Sequence, residues 1–337
     1  MSALPDRPLT ADLVLEGGGV LGVAHVGALS VLEESGYGFA RVAGTSAGSI
    51  VGAFTAAGMP AARMTEIMQS LDYRRFTDRS LLDHVPVGGP LLSLLLDNGV
   101  YEGDAVREWV GNVLLDECAV ETFGDLAIDD PHTSLPPEQQ YKLVVTATDV
   151  SRGELVRFPW DYGVTYGLDP STQRVADAVR ASMSIPFFYE PTTITAADGT
   201  VSTLVDGGVL SNFPIDLFDR TDGRTPRWPT FGVKLIPDLP MDADKLVPVL
   251  GLVKHGPVAL AAQVTMTAIV GHDQAQLAKP WVSARTIRAD TEGVSPVDFG
   301  LSRADADKLY ANGRAAATDF LRTWDWDDYL ARFRTTS

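Results

Sequence analysis

The chain has 337 residues, 45% hydrophobic and 21% charged, enough to bury a large core as one large α/β domain or two small ones. Its 44 acidic and 27 basic side chains leave a net charge of −17, which argues against nucleic acid as a partner and against purely electrostatic attachment to anionic membranes. One cysteine, Cys118, excludes an internal disulfide and suits a reducing compartment.

No basic region precedes an apolar one near the start, so the expected location is cytoplasmic, with transient apolar contact at a membrane surface left open. Leu13 to Leu15 reads as a buried strand ending in Gly17-Gly18-Gly19-Val20-Leu21-Gly22. Val23, Val26, Ala28, Leu29 and Leu32 then recur at helical spacing until Gly36. Phe39 to Ala43 is a second strand, ending in Gly44-Thr45-Ser46-Ala47-Gly48. A helix follows through Ile50, Val51, Phe54 and Ala57, and Met64 to Leu71 continues a helical pattern.

Leu81 to Leu96 is apolar but broken by Pro86, Gly88, Gly89 and Pro90. It reads as a core connector or a lid over an acyl groove, too short and interrupted to span a bilayer. Glu102 to Leu115 is an amphipathic helix, and residues 129–140 form a Pro-rich polar loop. Leu143 to Thr148 and Leu155 to Phe158 read as strands joined by a turn, Gln173 to Ser184 as a helix, and Thr203 to Val205 and Phe231 to Ile236 as further strands. Val247 to Ala275 is a long, mostly apolar helical stretch, read as a core helix ahead of one flanking a lipid groove and, last, a transmembrane span. Ser302 to Tyr329 reads as one or two surface helices. Alternating strands and helices predict a three-layer α/β fold, a mainly parallel central sheet with helices on both faces. No internal repeat or composition shift marks a second domain.

The two glycine turns carry the chemistry. A G-x-S-x-G turn between strand and helix holds its serine in a strained conformation with the hydroxyl projecting, and Gly44 and Gly48 permit the tight turn. Ser46 starts a helix, where unpaired N–H groups favour negative charge. In the adjacent turn, Gly17, Gly18 and Gly19 can aim N–H groups at the oxyanion of an acyl transfer, with Gly22 opening the following helix. Gly17, Gly19 and Gly22 also match a dinucleotide fingerprint. That motif wants an acidic residue at the end of the second strand, where Gly44-Thr45-Ser46 stands instead.

A serine nucleophile needs a base. Of His25, His84, His132, His255 and His272, none ends a late strand, and His25 falls inside a helix as a packed residue. Asp206 ends a short apolar strand and is followed by Gly207 and Gly208, which allow close approach of other backbone. In a parallel sheet, strand ends and the elbow share one rim, so Asp206 can meet Ser46 there.

Together Gly17–Gly22, Gly44–Gly48 and Asp206-Gly207-Gly208 resemble the patatin-like phospholipase family of Ser-Asp dyad acyl hydrolases. Arg180-Ala181-Ser182-Met183-Ser184-Ile185-Pro186, Asp206 to Pro214, Val297 to Leu301 and Leu309-Tyr310 are also similar to it. The resemblance covers about residues 13–321 of a single domain, with 322–337 as a C-terminal extension. It implies that Ser46 attacks a lipid or fatty-acyl ester, that Asp206 takes its proton directly, and that the glycine turn, mainly Gly18 and Gly19, holds the oxyanion. It implies no metal and no organic cofactor. The alternatives are a lipid acyltransferase and a catalytically silent lipid-binding protein of the same fold. The family usually carries Arg or Lys where this chain has Leu21, which bears on phosphate headgroups more than on fatty-acyl esters in general.

Overall fold

A computed structural model describes residues 9–77, 101–131, 133, 135–235, 260, 264, 265, 267 and 277–334. The apolar stretch 81–96, all but four residues of 247–275, and His84, His132, His255 and His272 lie outside the described residues.

The described strands are β1 (Leu9–Leu15), β2 (Tyr37–Thr45), β3 (Leu143–Asp149), β4 (Glu154–Phe158), β5 (Thr192–Thr195), β6 (Val201–Asp206), β7 (Thr230–Lys234) and β8 (Thr286–Arg288). They form one mixed sheet in the order β5-β6-β3-β2-β1-β7-β8, with β4 also paired to β3. The centre, β3-β2-β1-β7-β8, is parallel. The β4, β6 and β5 pairings are antiparallel.

Successive residues of a strand point to opposite faces. Leu13, Leu15, Val42, Val145 and Val233 therefore enter one apolar core, and Val14, Ala43 and Val144 the other. The larger core is closed by helices α1 (Val23–Glu34), α2 (Ala47–Ala56), α3 (Ala61–Ser70), α4 (Asp104–Cys118), α5 (Trp160–Tyr166) and α6 (Val175–Ser182). The smaller is covered by Trp160, Phe213, Ile215, Phe218 and the short helix α7 (Pro280–Ser283). The result is an α/β fold with helices on both faces of the sheet.

The C-terminal segment forms α8 (Arg303–Thr323) and α9 (Trp326–Phe333). Both are surface helices, as expected, and α8 turns a buried stripe of Leu309, Gly313 and Ala317, at four-residue spacing, toward the core. Its partner is α1, buried from Val23 to Leu32 between the sheet and α8. The two helices touch backbone to backbone: a methyl group on Gly27 would collide with the Tyr310 carbonyl, and one on Gly313 with the Ala24 carbonyl. Three further elements go beyond the sequence reading. β8 has only three residues, β5 is a half-exposed Thr-rich edge, and α5 is short with Gly163 inside it, so none shows a clear period.

Gly313→Val should therefore destabilise the fold by about 1–3 kcal/mol or more through overpacking. Urea denaturation measures this, and a midpoint unchanged from wild type would mean the helices separate freely.

Candidate active site

Thr45 is the last residue of β2 and pairs with Thr146 of β3, their hydroxyls 2.6 Å apart. The next residue of β3, Ala147, pairs with Asp206, the last residue of β6. Because β4 occupies the other side of Ala147, Thr148 and Asp149, β2 and β6 lie on the same edge of β3, arriving from opposite directions. Their C-terminal ends meet head to head, and Ser46 leaves the sheet where Asp206 arrives. The expectation of a shared parallel rim is thus corrected. The residues meet because β6 runs antiparallel.

Ser46 adopts φ 50° and ψ −128°, a conformation costing on the order of 1–3 kcal/mol for a residue with a side chain. Local hydrogen bonds offset it. The Ser46 N–H donates to Ser182 Oγ at 2.8 Å, and its carbonyl accepts the Ser49 N–H at 2.8 Å and the Ser49 hydroxyl at 2.5 Å. The turn closes because a methyl group on Gly44 would strike the Gly48 carbonyl, while one on Gly48 would reach within 2.6 Å of the Glu16 carbonyl.

The Ser46 side chain lies beside the Asp206 carboxylate, close enough to favour its charged form, and that carboxylate accepts the Gly208 N–H at 2.7 Å. Both residues are only 3% exposed. Burial pushes the Asp206 carboxyl up to about 7, against the opposing pull of the neighbouring Ser46 side chain and the Gly208 N–H. The Asp206 N–H donates to the Ser184 carbonyl at 2.9 Å. One short segment thus grips both sides of the pair, Ser182 holding Ser46 and Ser184 holding Asp206. Arg180 braces that segment from within, donating to Ser184 Oγ at 2.7 Å and to the Glu190 carbonyl at 2.9 Å.

The first glycine turn lies beside the serine: a methyl group on Gly17 would sit 3.0 Å from Ser46 Cβ. Asn212 clamps Gly17 on both sides. The Gly17 N–H donates to the Asn212 carbonyl at 3.2 Å, and Asn212 Nδ2 donates to the Gly17 carbonyl at 3.2 Å. The Gly17 N–H is therefore spent, as is that of Val20, which donates to the Pro296 carbonyl at 2.9 Å. Gly18 and Gly19 make no N–H donation to any described residue, leaving two amide donors in the turn. Gly22 packs against Ala47 at the start of α2, and Gly207 against Thr146. Leu21 lies in the core and brings no charge to the turn.

Ser182 and Asn212 were not singled out by the sequence reading, although both lie in its quoted segments, R-A-S-M-S-I-P and D-G-G-V-L-S-N-F-P. His25 is buried, its Nε2 donating to the Glu16 carbonyl at 2.8 Å, and burial lowers it to about 4. A cavity of about 460 Å³ lies elsewhere, by Asp12, Arg41 and Thr230 at the N-terminal side of the parallel strands. Ion pairs of Asp12 with Arg41, Asp219 with Arg285 and Arg334, and Asp130 with Arg227 neutralise much of its lining. Among the described residues, no helix is long and apolar enough to cross a membrane.

Comparison with known proteins follows the same outline. Protein YqhO of Bacillus subtilis is 33% identical over 316 residues, covering 94% of this chain and 99% of YqhO. Human patatin-like phospholipase domain-containing protein 6 is 28% identical over 220 residues, 64% of this chain but only 13% of that protein. The crystal structure of VipD from Legionella pneumophila is similar in fold, with a TM-score of 0.53 and 18% identity over 93% of this chain and 67% of VipD. The patatin-like phospholipase family model matches residues 13–219, which hold both glycine turns, the Ser182 segment, Asp206 and Asn212. With more than half its length matched by that model, the chain belongs to the patatin-like phospholipase family.

Proposed function

We propose that this protein is a lipid acyl hydrolase that cleaves carboxylic esters through Ser46 and Asp206. The carrying observation is the Ser46 side chain set beside a buried carboxylate whose pKa is raised to about 7. Family membership supports a lipid substrate.

An ordinary aspartate, with a pKa near 4, is a poor base toward a hydroxyl. Raising it to about 7 narrows the mismatch while keeping a substantial ionised fraction near neutrality. Ser46 Oγ attacks the ester carbonyl carbon as its proton passes to Asp206. The carbonyl oxygen becomes an oxyanion, for which the Gly18 and Gly19 N–H groups are the available donors. The C–O bond to the alcohol then breaks and Asp206 returns the proton to the leaving oxygen. Water attacks the acyl-enzyme, giving its proton to Asp206, and the fatty acid departs as Ser46 recovers its hydrogen. No histidine is required, and the neutral His25 serves the scaffold.

Ser46→Ala and Asp206→Asn should each lower ester hydrolysis on the order of 10³-fold or more while leaving the fold intact. A fluorophosphonate should label wild type at Ser46. Native protein that stays unlabelled, or near-normal turnover in Asp206→Asn, would remove the dyad from the reaction.

For wild type, kcat/KM should rise tenfold per pH unit on the acid side and level off above about pH 7, as Asp206 ionises. A flat profile between pH 5 and 8 would assign the base to another group.

Stability should run the other way. The folded state keeps a proton on Asp206 that the unfolded chain sheds near its ordinary pKa of 3.8. Stability from this group therefore declines as pH rises from about 4 to about 7 and is flat beyond. Asp206→Asn should melt above wild type at pH 8, with the gap closing toward pH 4, and thermal unfolding at the two pH values tests the sign.

A further inference from the structure

Glu16, the residue before the glycine turn, is tied down at each of its polar groups. Its N–H donates to the Val233 carbonyl at 3.1 Å, and its carbonyl accepts His25 Nε2 at 2.8 Å. One carboxylate oxygen accepts from Lys234 Nζ at 3.0 Å, the other from the Leu235 N–H at 2.6 Å. Glu16 and Lys234 are both buried. The clamp is itself supported. The Leu235 carbonyl accepts the Thr291 hydroxyl at 2.6 Å, and a methyl group on Gly18 would lie 3.1 Å from the Leu235 side chain. Since a carbonyl only accepts, His25 Nε2 carries the hydrogen, and a pKa lowered to about 4 keeps the ring neutral in that role near pH 7.

A buried ion pair contributes little net stability, because desolvation of the two charges consumes the Coulombic gain, and apolar replacements are often as stable. What the pair supplies here is direction. Gly17 follows Glu16 in the chain, and Gly48, two residues after the nucleophile, packs against the Glu16 carbonyl. One of the links that set the spacing between Ser46 and the Gly18 and Gly19 N–H groups, beside the Asn212 clamp on Gly17, therefore runs through Glu16. Oxyanion stabilisation depends steeply on such spacing, since donors must stand about 2.7–3.1 Å from the oxygen of the tetrahedral state.

We propose that Glu16, clamped by Lys234, is a positioning residue for acyl transfer, holding the Gly18 and Gly19 N–H groups at the distance from Ser46 that the oxyanion requires. The proposal rests on the Ser46–Asp206 reading above. Glu16 itself touches no reacting atom and acts through the turn.

The test uses Glu16→Gln and the double variant Glu16→Gln/Lys234→Met, which removes both charges and leaves no uncompensated one. A fluorophosphonate titrates the competent sites, and kcat and KM on a fatty-acyl p-nitrophenyl ester are expressed per titrated site. Both variants should titrate to the wild-type fraction, with kcat down about tenfold or more, KM within about twofold, and phosphonylation slowed in parallel. A double variant with the wild-type rate per site would overturn the proposal. So would a loss of titratable protein in which the surviving sites react at the wild-type rate, or in which none survive, since that marks a role in folding alone. Failure of wild type to be labelled would instead strike the dyad itself and is read before the variants are compared.

Discussion

The site depends on two strands ending against one edge of a third. β3 offers a continuous edge from Leu143 to Asp149. β2 uses it as far as Thr146, and β6 uses the remainder from the opposite direction. Backbone pairing is quantised by residue, so the gap between the two strand ends is set by the ladder rather than by side-chain chance. The Ser46 side chain after one end and the Asp206 carboxylate on the other are thereby brought together. The remaining support serves to keep them there. Ser182 and Ser184 bind the two ends from α6 and the turn that follows it, and Asn212 locks the neighbouring glycine turn.

Burial decides the chemistry of that meeting. An exposed aspartate would stay ionised and bind its proton too weakly to serve as a base. At 3% exposure, desolvation outweighs the pull of the Ser46 side chain and the Gly208 N–H, and the carboxyl titrates near neutrality. The same enclosure strengthens any interaction between the Gly18 and Gly19 amides and an oxyanion, because less solvent screens it. In the proposed mechanism, activity and fold stability therefore make opposed demands on Asp206.

Much of this was legible in the chain because punctuation coincides with function. Each glycine motif follows a short apolar run, so the strand ends at Leu15, Thr45 and Asp206 stand out against the residues before them. The direction of β6 was not legible. The six residues VSTLVD carry no mark of orientation, and antiparallel pairing arises only from where the preceding chain delivers them. Ser182 and Asn212 were hidden for a different reason. Serine and asparagine are common in turns, and their work here is a hydrogen bond to backbone distant in sequence. The Glu16–Lys234 pair was equally silent, since two charges more than two hundred residues apart give no local period. The burial of α8 was half visible: its small-residue stripe is in the sequence, but the helix it packs against is not.

The grip that residues 182–212 exert on the first fifty has a consequence in time. A ribosome delivers Ser46 early, when no carboxylate, no Ser182 acceptor and no Asn212 clamp yet exists. Until those later segments emerge and dock, the hydroxyl is an ordinary alcohol and the glycine turn has no fixed aim. On the proposed mechanism, hydrolytic competence therefore arrives only once those later segments have docked, and a polypeptide terminated before Asp206 would be inert toward lipid esters.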